Sequence, residues 1–226
     1  MKYFIFCIVL GTVLNAQSFN SDILKEFDKV RLNSNEGKVN LEITSVKKTK
    51  VKKKTYAVYR KKGNSLVTFL HKNEKGTVIL NIKNNLYIKV PSSKKAIRIT
   101  PIQRLFGDAS IGDILELEFD EYYKVIKQEK NTITLKAKKK ESTYHKIILF
   151  IKEKKLNYAK LFSYSGKLLK TVHYTYNKSG KIDRYKFVSD LSHSTVYIKS
   201  VKDMKLPNRL FKKSNIKKAY KNASVL

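Results

Sequence analysis

Between Lys38 and Val201 apolar residues recur mainly at every second position, the period of a β-strand with unlike faces. Thirteen stretches carry this pattern: residues 39–47, 55–61, 65–72, 76–82, 86–90, 96–100, 121–128, 132–138, 144–152, 156–164, 168–176, 182–189 and 194–201. The segments between them are short and chemically explicit, among them Lys62-Gly63-Asn64, Ser165-Gly166-Lys167 and Asn177-Lys178-Ser179-Gly180. Gly and Asn accept the positive φ of tight hairpins, so consecutive strands should pair antiparallel. Two stretches depart from period two. Over residues 21–31, Ile23, Leu24, Phe27 and Val30 recur at helical spacing behind Ser21 and Asp22, which suit a cap and a first helical turn. Within residues 86–115, Pro101 is expected to open a short helix ending at Gly107-Asp108, and a second helical turn is expected from Ile111 to Leu115, started by Ser110 or by Gly112 and Asp113.

An open meander of about a dozen strands would curl and leave exposed edges. The fold class that follows is mainly β (α+β): a strongly curved antiparallel half-barrel of about eleven to thirteen strands, with the N-terminal helix and short lid helices over the concave face. No boundary divides residues 17–226, which are expected to form a single domain. At 226 residues such a domain needs neither disulfide nor metal to build a core. The hairpins at Ser165-Gly166-Lys167 and Ser179-Gly180-Lys181 repeat once, too few for a repeat array.

Residues 1–16 read as a cleaved signal peptide, with Lys2, an apolar run from Tyr3 to Leu14 and the small residue Ala16 before Gln17. The run is too short to span about 30 Å of hydrocarbon. Cleavage would remove Cys7, the only cysteine, and deliver a periplasmic protein. The formal charge of +31 calls for polyanions. Export argues against nucleic acid, including for the lysine tract at 47–54, and leaves an anionic membrane surface or a plain compositional bias toward Lys. Lys94, Lys95, Arg98 and Arg104 are the candidate membrane-surface contacts.

Taken at one parity, the strands of the first half align Tyr56, Val58, Leu66, Leu70, Val78, Leu80, Leu86, Ile88 and Val90, with Leu105, Phe106, Ile111 and Leu115 on the lid. These thirteen are the candidate lipid-binding residues, because one helix and a lid give limited cover to so wide an apolar face. A fully packed core is the alternative. Sheltering an acyl chain is worth about 0.8 kcal/mol per buried CH₂.

No catalytic or metal site is expected. His71, His145, His173 and His193 lie on separate strands or turns, and no Gly-x-Ser-x-Gly or phosphate-loop spacing occurs. Ser189-Asp190-Leu191-Ser192-His193-Ser194 crowds triad residue types into one turn. Glu116, Glu118, Asp120 and Glu121 read as a solvated face or a local counter-charge.

Leu86-Tyr87-Ile88-Lys89-Val90-Pro91, Lys94 to Ile99, Phe106-Gly107-Asp108, Asp113-Ile114-Leu115 and the tail Leu206-Pro207 with Leu210-Phe211 together resemble the LolA-like, outer membrane lipoprotein-sorting family. The resemblance spans roughly residues 21–216, without the family's usual Trp and with far more lysine. It implies a curved sheet closed by helices, a hydrophobic cavity for lipid or lipoprotein acyl chains carried through the periplasm toward the outer membrane, and no enzymatic activity or cofactor. It is compatible with an inner- or outer-membrane partner protein and with a monomer. A non-carrier module acting as an envelope sensor or protein-binding surface is the alternative.

Overall fold

The computed structural model describes residues 22–32, 36–83, 85–115, 118–140, 142–189 and 192–226. The expected signal peptide, the helix caps at Asn20 or Ser21, and Glu116 lie outside them. In chain order the elements are α1 (Asp22–Leu32), β1 (Glu36–Lys47), β2 (Lys50–Lys61), β3 (Asn64–Phe69), β4 (Val78–Ile82), β5 (Asn85–Lys89), β6 (Ile97–Ile99), β7 (Arg104–Phe106), β8 (Ala109–Ser110), α2 (Ile111–Leu115) and α3 (Phe119–Tyr122). There follow β9 (Tyr123–Glu129), β10 (Thr132–Ala137), β11 (Lys146–Lys152), β12 (Lys155–Phe162), β13 (Leu168–Tyr176), β14 (Ile182–Val188), β15 (His193–Asp203), a 3₁₀ turn at Asn208–Phe211 and α4 (Ile216–Ser224). Each of the thirteen stretches of period two overlaps a strand of the main sheet.

That sheet is antiparallel and curved, in the order β6-β5-β4-β3-β2-β1-β15-β14-β13-β12-β11-β10-β9, and does not close into a barrel. The chain runs outward from β1 to one edge at β6, crosses to the opposite edge at β9, and returns by hairpins to lay β15 against β1. Everything between β6 and β9 is therefore a crossover, and it travels over the concave face. The edges are protected: β6 is three residues long, and β9 carries Lys124 and Lys127.

The expected helix after Pro101 is instead half of a small hairpin. β7 pairs with β8 across Gly107-Asp108, with Gly107 at φ 60°, and the hairpin is tied to the next turn by Ile111 N–H to Gln103 O at 2.9 Å and Gly112 N–H to Pro101 O at 2.8 Å. Ile102, Leu105 and Phe106 around Gln103 and Arg104 fit either period, and here the two-residue turn decided it. β2 also begins five residues earlier than expected, because Lys50 pairs with Lys47 and carries the ladder through the basic hairpin.

Register overturns the expected face of β3 and β4. The turn at Lys62-Gly63 pairs odd residues with even ones, so Tyr56 faces Phe69, Val58 faces Val67 and Tyr59 faces Leu66. The next turn keeps parity, setting Val67 beside Ile79 and Leu66 beside Leu80, and the one after switches it again, setting Ile79 beside Ile88. A strand shifted by one residue shows its other face, so one parity cannot be carried through these turns. Tyr56, Val58, Leu86 and Ile88 thus belong to the concave core with Val67, Phe69 and Ile79. Leu66, Val78 and Leu80 lie on the convex side.

The convex side has a core of its own. Leu206, Leu210, Phe211, Ile216, Ala219 and Ala223 pack on Ala57, Tyr59, Leu66, Val78 and Leu80, and the Tyr59 hydroxyl donates to Ala223 O at 2.9 Å. β2 to β4 are accordingly buried on both faces, as their apolar residues at both parities require. Ile79→Ala and Leu80→Ala should each cost about 2–5 kcal/mol in urea unfolding; a loss confined to one of them would contradict cover on both faces.

Candidate functional site

The concave core is organised around α2. Ser110 and Asp113 cap its N-terminus reciprocally: Ser110 N–H donates to Asp113 Oδ2 at 2.7 Å, and Asp113 N–H donates to Ser110 Oγ at 3.2 Å. Asp113 also receives Tyr144 O–H at 2.6 Å and Lys170 Nζ at 2.8 Å. Lys170 further donates to the Asp108 carbonyl. Burial and the Asp113 carboxylate push the Tyr144 hydroxyl well above its usual range, so it stays a donor. With its polar groups satisfied, the turn buries Ile111, Ile114 and Leu115. Gly112 is required here, since a Cβ would lie 1.8 Å from Thr143 Oγ1.

The preceding hairpin is clamped as firmly. The Asp108 carboxylate accepts O–H from Ser189 at 2.9 Å, Ser192 at 2.6 Å and Ser194 at 3.1 Å, while Asp108 N–H donates to Ser194 Oγ at 2.8 Å. The serine-rich turn is a cradle for this carboxylate. Gly107 is closely packed: a Cβ there would stand 2.2 Å from Ser194 Oγ and 2.5 Å from Ser45 Oγ.

A second buried polar group joins α1 to α3. Asp28 accepts Phe119 N–H at 2.7 Å and Asp120 N–H at 2.9 Å, pairs with Arg31 at 3.5 Å, and is pushed by burial to a pKa of about 6. Arg31 lies 3.7 Å over the Phe119 ring, and Arg60 pairs with Glu118 at 2.8 Å. Glu118 is thus a counter-charge. The space between α2 and the sheet is nearly full, with voids of about 30 and 20 Å³ on either side of Arg31. Neither has room for an acyl chain.

Open space lies instead beside the β7–β8 hairpin, where a cleft of about 470 Å³ is walled by Phe69, Ile79, Ile88, Val90, Pro91, Leu105 and Ile111 on its apolar side and by Asn73, Glu74, Thr77, Ser92 and Arg104 on its polar side. That volume and lining suit a small apolar ligand. Of the expected lipid-binding residues, Ile88, Val90, Leu105 and Ile111 line this cleft. Tyr56, Val58, Leu86 and Leu115 are buried in the core beside it, and Phe106 packs against that core. Leu66, Val78 and Leu80 face the C-terminal helix, and Leu70 is exposed just past β3. Phe69 and Ile79 were missed because their parity was assigned to the other face. The basic candidates form no single patch: Arg104 borders the cleft, Lys94 and Lys95 sit in an exposed turn, and Arg98 lies opposite Tyr87 on the convex side, bonded to Asn85 at 2.9 Å. Among the described residues no three His, Cys, Asp or Glu side chains gather as metal ligands.

A curved, unclosed antiparallel sheet with helices in its concavity is the fold of LolA-like proteins. A family model described as "Uncharacterized protein" matches residues 61–218, and the chain belongs to that family. It is similar to a LolA superfamily protein from Nitrosomonas europaea, at 25% identity and TM-score 0.77 over 85% of this chain and 97% of that one. A DUF1329 family protein from Desulfovibrio piger shares 16% identity at TM-score 0.70, over 87% of this chain and 97% of that one. A domain from Vibrio parahaemolyticus described as an outer membrane lipoprotein-sorting protein shares 15% at TM-score 0.67 over the same fractions. No curated protein matches the sequence.

Two predictions follow from the buried charges. Lys170→Met should destabilise the fold by about 3–5 kcal/mol by stranding the Asp113 carboxylate, and adding Asp113→Asn should recover part of the loss in denaturant unfolding. Asp28 binds its proton more tightly in the folded state than in the unfolded one, so its contribution to stability is fully present below about pH 4 and is lost as the pH rises through about 6. Asp28→Asn should therefore remove a pH-dependent difference of about 1–3 kcal/mol between pH 4 and pH 7, measured as the change in unfolding free energy against the wild type.

Proposed function

We propose that this protein is a periplasmic carrier of lipid or lipoprotein acyl chains, moving them across the envelope toward the outer membrane. The observation that carries the reading is the apolar cleft beside the β7–β8 hairpin, open to solvent on a fold shared with lipoprotein-sorting proteins. Each CH₂ withdrawn from water into that cleft gains about 0.8 kcal/mol. A second chain would need the space filled by α2, and its withdrawal would expose Ile111, Ile114 and Leu115 and break the Asp113–Lys170 pair. The export signal expected over residues 1–16 fits this location, and no residue is assigned a catalytic role.

The nearly filled interior favours a second reading, in which the same module is an envelope sensor that offers the cleft to a protein partner. The two readings part on lipid content. Organic extraction of the purified protein followed by mass spectrometry should release acyl lipids, and a fluorescent fatty acid should bind the stripped protein. Ile88→Glu and Leu105→Glu place a charge on the cleft wall and should weaken that binding at least about tenfold. Leu70→Glu, away from the cleft, should leave it unchanged. A protein that releases no lipid and takes up no fatty acid would leave only the sensor.

A further inference from the structure

Beside the apolar cleft lies a second open space with the opposite chemistry. Ser45, Lys47, Lys48, Thr49, Lys50 and Lys52 of the β1–β2 hairpin, with Phe106 and Gly107, enclose about 490 Å³. Its wall holds four lysines and no carboxylate, and none of the four is in an ion pair among the described residues. Register deepens the repulsion, because Lys47 stands directly opposite Lys50. Like charges so placed destabilise a strand pair. A local cost of this kind, in a hairpin whose strands are otherwise well paired, points to a ligand that relieves it.

The two spaces are neighbours. Leu105 lines the apolar cleft, and the next residue, Phe106, lines the basic pocket. Between them stands Lys54, which pairs with Glu74 of the cleft wall at 2.7 Å and lies 4.8 Å over the Phe106 ring. Along β2 the concave row passes from Lys50 and Lys52 through Lys54 to Tyr56 and Val58.

We propose that the cleft and the lysine pocket form one site for an anionic amphiphile, the acyl chain in the cleft and a phosphate-bearing lipid headgroup among Lys47, Lys48, Lys50 and Lys52, with Ser45 and Thr49 as hydroxyl donors. This rests on the carrier reading and adds to it a headgroup preference. Phe106 and the Lys54–Glu74 pair form the partition across which the head–tail junction lies.

The test uses three single-chain lipids with the same acyl group: lysophosphatidylglycerol, lysophosphatidylcholine and a monoacylglycerol. The purified protein at low salt should bind the first about 10- to 100-fold more tightly than the other two. Lys47→Gln/Lys50→Gln/Lys52→Gln, confined to exposed positions, should abolish that preference and leave monoacylglycerol binding unchanged. Equal binding of all three lipids, or a preference that survives the triple substitution, overturns the headgroup site while leaving the carrier reading intact. Inorganic phosphate displacing a fluorescent lysophosphatidylglycerol at concentrations equal to those of the unlabelled lipid would make the pocket a free-anion site and also overturn the proposal. If the wild type binds none of the three lipids, the carrier reading falls with it.

Discussion

Asp113 is the constraint on which the concave half of the molecule depends. The crossover from β6 to β9 must pass over the inside of the curved sheet, where every N–H and C=O removed from water needs a partner. One carboxylate ties that segment to its surroundings. It closes the N-terminus of α2 with Ser110 and receives Tyr144 from the segment before β11 and Lys170 from β13. Desolvating two charges is unfavourable in itself, and the pair is tolerated because its hydrogen bonds are complete and apolar side chains surround it. Position follows from this more than from any propensity of the pentapeptide Ile111–Leu115, which is too short to be a helix alone.

The rest of the crossover repeats the principle. Asp108 is held by three serines at the β14–β15 turn, and Asp28 of α1 accepts the first amides of α3. Three buried carboxylates thus fasten three pieces of irregular chain to a regular sheet. Apolar burial supplies the driving force, and these groups decide where the pieces stop. What read as a lid is built as an inner wall, with its open ground beside the β7–β8 hairpin.

The two faces of the sheet divide the work. On the convex side the C-terminal segment covers β2 to β4, so their inward residues are braced from behind. On the concave side those strands carry the cleft, at the end where α2 and the hairpin leave Ile88 and Val90 half-buried. Charge follows a similar division. Lys170 and Arg60 are buried in ion pairs, whereas the lysines at the β1–β2 tip gather around open space.

Much of this was legible in the sequence. Each strand of the main sheet announced itself through period two, because alternation of side chains is a property of the extended backbone residue by residue. α1, α2 and the hairpin turns were equally local, written in Leu24 and Phe27, in Ser110 and Asp113, and in Gly63, Gly166 and Gly180. The resemblance carried by residues 86–115 and the Leu206–Phe211 tail led to the right fold. What sequence alone could not decide was which parity faced inward after each turn: a two-residue turn at Lys62-Gly63 reversed it, exchanging Leu66 and Leu80 for Phe69 and Ile79. Nor could it bring Lys170 to Asp113 or Ser189, Ser192 and Ser194 to Asp108, since those meetings depend on a crossover folding inside a curved sheet. Local periodicity fixed the elements, and turn register together with the path of one buried segment fixed the faces and the site, because both depend on contacts between residues far apart in the chain.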